Sequence, residues 1–366
     1  MEFIKGADVS SLLEVERCGG TFRDGNTPGE AFSLLRQFGI NAIRLRLWNE
    51  PYDEQGNDYG GGTCDLPTVL TLARRAKNAG MRWMLDPHFS DFWVDPGRQT
   101  LPKAWRGLDE NGLEQAVYQY TKDVLCACRA AGVMPDLVQI GNELSCGLLW
   151  PSGKYPNWET ICRYLSAGVR AVREEAPRAR VVIHLDHGGK NALYREWFDN
   201  YFRLGGDCDI IGLSFYPSWH GKMADLAANL NDLSTRYQKD LVVVEAGTVF
   251  SQESYAAYER LPEDNRKGTS AKPEMVKDIE YPMTPAGQTA YIRDLISVLR
   301  AVPEGCGKGF FWWEAAWLPV PGSGWAKRPG WEYLEAEGPE GNEWANQTLF
   351  DYDGRALPAL SAIRDA

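Results

Sequence analysis

Two short segments carry carboxylates where a strand should have none. VQIGNE ends on Glu143, and DLVVVEAG holds Glu245 after an equally apolar run of β type. A strand interior of Val and Ile has no structural use for a charge, because burying an unpaired carboxylate costs roughly several kcal/mol or drives its pKa upward. Two carboxylates emerging from strand ends, one kept protonated and one ionised, satisfy what cleavage of a glycosidic bond demands. The simpler structural alternative is an ion pair with Arg46. Asn142, beside Glu143, offers an amide that could hold a sugar hydroxyl.

Other chemically able residues fall at similar positions. Arg46, His88, Asp186, Tyr216 and Trp313 each follow or end an apolar run. Each has a plain alternative: Arg46 as partner of one carboxylate, His88 as a hydrogen-bonded buried imidazole, Tyr216 and Trp313 as core filling. The HLDH segment, His184 to His187, admits a metal site, since His and Asp on a barrel strand can bind zinc. His184 and Asp186 share a strand face and His187 points away. The first strand offers only Asp8, so a third converging histidine is missing for a binuclear centre.

Strands and helices alternate along the whole chain. Candidate strands run from Phe3 to Val9, Asn41 to Leu47, Arg82 to Asp86, Leu137 to Gly141, Val181 to Leu185, Ile210 to Phe215, Leu241 to Val244 and Gly309 to Trp313. Between them apolar residues recur with helical period, as at Ala31, Leu34, Leu35 and Phe38, and Gly39, Gly80 and Gly132 stand where a helix would end before a strand. Eight such units of even composition point to an α/β fold, a (β/α)8 TIM barrel forming a single domain over residues 1–366, rather than a doubly wound sheet. No GxGxxG follows the first strand, and Gly60, Gly61 and Gly62 read as a flexible connection. Long βα loops follow strands seven and eight, at Ser251 to Pro285 and Leu318 to Gln347. They lie on the face where barrel active sites sit, and the second, with Gly338, Pro339 and Gly341, offers two readings, a lid or a solvated excursion, of which the lid is preferred.

Composition bounds the partners. The 366 residues, 44% hydrophobic and 24% charged, suffice for a large core. A net charge of -11 without a basic block argues against nucleic acid and against an anionic membrane, and leaves a neutral ligand compatible. Fourteen Trp and sixteen Tyr exceed core needs, and aromatic faces suit the C–H faces of sugars. The start MEFIKGADVSS has neither the basic region nor the apolar stretch of a signal peptide, so a cytoplasmic location is expected, although a trimmed secreted chain would read the same. The eight Cys are scattered, with Cys126 and Cys128 alternating on a helical segment, and are expected to be reduced.

The order GADVSS, IRLRLWN, DPHFSDFWVDP, VQIGNELSCGLLWP, HLDHGG, IGLSFYPSWHG, VVVEAG, FFWWEAAW and WANQTLFDYDGRALPAL resembles glycoside hydrolase family 53, the endo-β-1,4-galactanases, over nearly the whole chain. The resemblance implies a retaining (β/α)8 glycosidase of internal β-1,4-galactosidic bonds in galactan, type I arabinogalactan or derived galacto-oligosaccharides. By similarity Glu143 is the acid/base and Glu245 the nucleophile, their carboxyl groups roughly 5 to 5.5 Å apart. It further implies that Arg46 keeps Glu245 ionised, that Asn142, His88 and Tyr216 form the inner sugar shell, and that Trp313 is the platform under the attacked sugar. Asp91, Trp93, Asp186, Trp219, His220 and Trp344 lie in the other matching motifs as groove candidates. The resemblance implies no required cofactor; some bacterial members bind calcium in the last long loop, and although no full set of oxygen ligands can be matched in Leu318 to Gln347, a structural calcium stays open. The sequence departs from the pattern at Pro87, at His187 where Asn is common, and in VVVEAG, which lacks a following Trp-Pro. These changes touch substrate length, and with the missing signal peptide lead to the expectation that short galacto-oligosaccharides are preferred. Relatives in the same clan attack mannan, xylan or cellulose with the same carboxylate pair.

Overall fold

The computed structural model describes residues 2–252, 279–338 and 341–366. Most of the loop from Ser251 to Pro285, and Pro339, lie outside the described residues. Eight parallel strands close into a barrel: β1 (Ile4–Asp8), β2 (Ala42–Leu47), β3 (Arg82–Pro87), β4 (Leu137–Gln139), β5 (Arg180–Leu185), β6 (Ile210–Phe215), β7 (Asp240–Ala246) and β8 (Gly307–Trp312), which pairs back onto β1. An outer helix follows each strand: α1 (Ala31–Gln37), α2 (Leu66–Asn78), α3 (Glu110–Ala130), α4 (Trp158–Glu175), α5 (Asn191–Arg203), α6 (Met223–Tyr237), α7 (Pro285–Ala301) and α8 (Pro358–Asp365). The (β/α)8 expectation holds.

Local chemistry starts these helices. The carboxylates of Glu30, Asp65 and Asp109 accept from the amides of Ser33, Thr68 and Gly112 at 2.8, 2.9 and 2.7 Å, satisfying donors that an isolated helix start leaves open. Ala31, Phe32, Leu34 and Leu35 form the buried stripe of α1.

Strand alternation sorts side chains between the helices and the barrel interior. Ile4, Ala42, Met84, Leu137, Val182, Ile210, Val242, Val244 and Phe311 form an interior apolar plug, each large aliphatic contributing ~1.5–3 kcal/mol by burial. Two residues further along their strands, Arg44, Asp86, Gln139 and His184 occupy the interior as buried polar groups. The plug is therefore roofed by charge.

Strict alternation after Val242 and Val244 would send Glu245 outward to the helices. A β-bulge prevents this. Leu213 and Ser214 of β6 pair with Val243 and Glu245, and Phe310 and Trp312 of β8 pair with Val243 and Ala246, so both neighbours place one extra residue in β7. The bulge keeps Val244 in the plug and turns Glu245 inward as well. Gly212 makes room for it, since a Cβ there would stand 2.9 Å from Val182 Cγ1 and 3.2 Å from Val244 Cγ1. On β4 the ladder stops at Gln139, short of the expected Gly141, because the chain turns into left-handed conformations at Gly141 and Glu143. Pro87 remains in β3, and His88 N–H donates to Leu47 O at 3.0 Å.

The loop after β8 forms a wall, not a free lid. Gly61 N–H donates to Gly324 O at 2.9 Å, Lys327 N–H to Tyr59 O at 2.9 Å, and Trp93 Nε1–H to Trp325 O at 3.0 Å. The glycine run 60–62 is thus a close-packed seam: a Cβ on Gly61 would meet Trp48 and Trp93 at about 3 Å. No helix among the described residues is long and apolar enough to cross a membrane.

Candidate active site

The C-terminal ends of the strands open into a cleft of about 600 Å³. Arg46, His88, Trp93, Asn142, Glu143 and Asp186 line it, and so do Tyr216, Trp219, His220, Glu245, Trp313 and Trp344. Asp91 does not. Its two carboxylate oxygens accept from the backbone amides of Glu50 (3.0 Å) and Lys103 (2.6 Å), so it fastens two loops behind the cleft instead of facing a ligand.

Glu245 sits on a buried cationic support. Arg44 Nη2 lies 2.9 Å from Glu245 Oε1, and the Tyr216 hydroxyl donates to Oε2 at 2.9 Å. The expected partner, Arg46, is a correction. Both arginines point inward because they are two residues apart on β2, but Arg44 lies deeper, where it also meets Asp8 (3.0 Å), Asp86 (2.7 Å) and the Asn142 carbonyl (2.9 Å). Arg46, at the rim, bonds Glu314 at 2.5 Å and lies over the Trp93 ring at 4.2 Å. Burial pushes the Glu314 carboxyl up to about 7, with Arg46 opposing and Asp8 reinforcing the shift.

Glu143 has a different setting. It leaves β4 in a left-handed conformation, φ 50°, which turns its side chain over the cleft floor. Burial, then the charges of Glu245 and Asp186, raise its pKa well above the carboxylate range. Burial raises Glu245 too, but Arg44 and the Tyr216 hydroxyl oppose it. The first proton taken up by this coupled pair therefore belongs on Glu143.

Hydrogen bonds behind Glu143 are consistent with that proton. Arg44 and Gln139 both donate to Asn142 Oδ1, at 2.9 and 3.3 Å, which identifies that atom as the carbonyl. His184 Nδ1, 3.0 Å from the same oxygen, donates to it, and this contact is shorter than the 3.4 Å at which the Glu143 backbone N–H faces the same nitrogen. Burial, with Arg44 nearby, lowers the His184 pKa well below its ordinary value, so the ring is neutral and Nε2 accepts. Its partner at 2.7 Å is the Ser214 hydroxyl, which lies 2.6 Å from Glu143 Oε1. Ser214 has one proton: it donates to Glu143 when that group is ionised, and to His184 when Glu143 is protonated and donates to Ser214. The Nδ1–H ring matches the second arrangement.

His187 corrects a further expectation. It leaves β5 with φ 54° and swings back so that Nδ1 meets Asp186 Oδ2, with its ring 4.9 Å from that of His220. Burial alone would raise Asp186, but hydrogen bonds from His187 and Ser145 outweigh it and hold the carboxyl low. Burial takes His220 down to about 3. His88 is also lowered by burial; its Nδ1 accepts from Trp48 Nε1 at 3.3 Å, leaving Nε2–H to donate to Asp86 at 3.1 Å. Both nitrogens of His184 face hydrogen-bond partners, and among the described residues no group of three His, Cys, Asp or Glu is placed to hold a metal.

Indoles wall the cleft. Trp313 lies 6.2 Å from Trp93 and 6.0 Å from Trp344, and Trp344 lies 5.7 Å from the exposed Trp219. Trp325 stacks on Trp93 at 5.5 Å and 9°. Sequence reading passes over Arg44, Ser214 and Trp325. The i, i+2 spacing of Arg44 and Arg46 in IRLRLW was a usable signal for the first. Trp325 comes from a loop without periodicity and gave none.

A closed parallel barrel with two strand-end carboxylates of unlike environment beneath an indole-walled cleft has the build of a barrel glycosidase. The family model for glycosyl hydrolase family 53 matches residues 4–363. A Niallia circulans protein described as the uncharacterized protein in the bgaB 5′ region is 37% identical, with 99% of this chain and 93% of that protein covered. The endo-beta-1,4-galactanase of Bacillus subtilis (strain 168) is 33% identical over 100% of this chain and 86% of its own. The solved GH53 catalytic domain of Ignisphaera aggregans superposes with a TM-score of 0.90 at 38% identity, covering 99% and 96% of the two chains. The chain belongs to glycosyl hydrolase family 53, and it is a glycosidase.

Proposed function

We propose that the protein cleaves internal β-1,4-galactosidic bonds of galactan, type I arabinogalactan or their oligosaccharides with retention, using Glu245 as nucleophile and Glu143 as acid/base. The observation that carries this reading is the opposed environment of the two carboxylates on one cleft floor: Glu245 on Arg44 and Tyr216, Glu143 beside anions and a neutral imidazole. The galactanase names of the relatives support the substrate.

In the first step Glu245 attacks the anomeric carbon while the Glu143 proton passes to the departing glycosidic oxygen, giving a covalent glycosyl-enzyme and a free chain end. Glu143, now ionised, takes a proton from water as that water displaces Glu245, which regenerates both groups. Carboxylates and water account for every bond and proton. Trp313 and Trp344 provide aromatic faces for the sugar rings, and Asn142 an amide at its edge.

The test is product analysis with azide. Glu143→Ala should yield β-galactosyl azide and Glu245→Ala α-galactosyl azide, each with turnover of galactan lowered by roughly 10²–10⁴-fold or more without azide. Equal release from mannan or glucan by wild type would refute the substrate, and full activity in either variant the roles.

A further inference from the structure

We propose that Glu314 is a positioning residue of the cleft: its charge fixes the Arg46 guanidinium against the Trp93 ring, and so sets how tightly the indole wall grips a sugar chain, without entering bond cleavage. The identity of that chain rests on the galactanase reading above.

Glu314 follows Trp313 at the end of β8, in the left-handed region at φ 47°. A residue other than glycine keeps that conformation only where its surroundings fix it. Trp313 N–H donates to Ala246 O at 2.8 Å and Ala315 N–H to Asp8 O at 2.9 Å, which hold the turn from both sides. Glu314 is thereby buried beneath the cleft, while Trp313 beside it lines the cleft. The double displacement has no use for this third carboxylate.

What it holds is Arg46. Arg46 Nη2 donates to Glu314 Oε1 at 2.5 Å and to Gly61 O at 3.3 Å. Among the described residues Arg46 Nε and Nη1 find no hydrogen-bond acceptor, and Asp8 stands 3.8 Å from Nη1. The guanidinium, placed mainly by Glu314, lies 4.2 Å from the centre of the Trp93 ring and 5.5 Å from that of Trp48. Trp93 in turn bonds the Trp325 carbonyl and stacks on the Trp325 ring. A shift of the guanidinium therefore reaches both indoles of the wall.

The groups facing Glu314 are Arg46 from β2, Asp8 from β1, Ser11 from the turn after β1, and the Cys64 thiol from the loop after β2. Burial pushes that thiol up to about 12, so it stays neutral. Burial likewise pushes the Glu314 carboxyl up to about 7 against the pull of Arg46, and the Ser11 hydroxyl, donating to Oε2 at 2.6 Å, favours the ionised form. On the alkaline side of this value Glu314 and Arg46 form an ion pair. On the acidic side a neutral acid accepts an ordinary hydrogen bond, roughly half as strong, and Asp8 becomes the nearest countercharge.

The experiment follows galactan kinetics from about pH 6 to about pH 8.5, together with the Trp93 indole N–H resonance, assigned with Trp93→Phe. In wild type KM should rise as pH falls through the Glu314 titration, and the resonance should move with the same midpoint. Glu314→Gln keeps the shape and loses the charge: KM is expected to be about fivefold higher at the alkaline end, kcat within about twofold, and the midpoint gone from both readouts. Ser11→Ala, which removes a bond to the ionised form, should move the midpoint to higher pH. A midpoint that survives in Glu314→Gln, or stays in place in Ser11→Ala, overturns the proposal, as does a fall in kcat with KM unchanged. Wild type that cleaves mannan and not galactan overturns the galactanase reading alone, and the KM comparison is then read on mannan.

Discussion

Glu143 and Glu245 face one cleft from unlike electrostatic settings. Behind Glu245 stands Arg44, fully buried and shared among Asp8, Asp86 and Glu245. Behind Glu143 stands a neutral chain, Ser214 to His184 to Asn142, with Asp186 as a nearby anion and, among the described residues, no salt-bridge partner. Burial raises both carboxyls, so desolvation by itself does not distinguish them. The countercharge does. Residue type is the same; what lies one layer deeper in the barrel assigns the proton.

The largest effect should come from removing the cation. Arg44→Leu leaves Asp8, Asp86 and Glu245 buried without it, and a loss of about 3–5 kcal/mol in urea-unfolding stability is expected. In whatever folds, Glu245 loses its main opposing influence and its pKa rises further. It then ionises only at higher pH, so the acidic limb of the kcat/KM profile moves up. An acidic limb in its wild-type place would show that Arg44 does not set Glu245.

On the other side, Asp186→Asn removes one of the anions that raise Glu143. The Glu143 pKa should fall, the catalytic acid should lose its proton at lower pH, and the basic limb should move down while the acidic limb stays nearer its place. Several-fold loss of kcat/KM on the alkaline side of the optimum is expected. A basic limb that stays or moves up would break the contrast between the two carboxylates.

The smallest effect is spectroscopic. Nitrogen-15 shifts of His184 near the pH optimum should show a neutral ring with its proton on Nδ1 and Nε2 bare. A proton on Nε2 would mean that Ser214 donates to an ionised Glu143 in the resting enzyme, and the acid would have to gain its proton on substrate binding.

Much of this site was legible in the chain because two regularities are local. Apolar runs ending in a polar residue mark strand ends, and a barrel gathers strand ends on one face, so Glu143, His88, Tyr216 and Trp313 could be placed together from sequence. Helix stops at Gly39, Gly80 and Gly132 were equally readable, since a C-cap involves only residues a few positions apart. Asp91 was misplaced because nothing nearby in sequence shows that both its oxygens are used by the distant amides of Glu50 and Lys103.

The amino-acid sequence by itself determined the eight βα units, the two carboxylates and the aromatic supply of the cleft, because periodicity and residue type carry those. Tertiary structure decided which arginine supports Glu245, how the β7 bulge turns Glu245 inward, how His187 returns to Asp186, and that the β8 loop is a pinned wall. Each of these depends on contacts between residues far apart in the chain. Register, depth in the barrel and countercharge exist only once the sheet has closed.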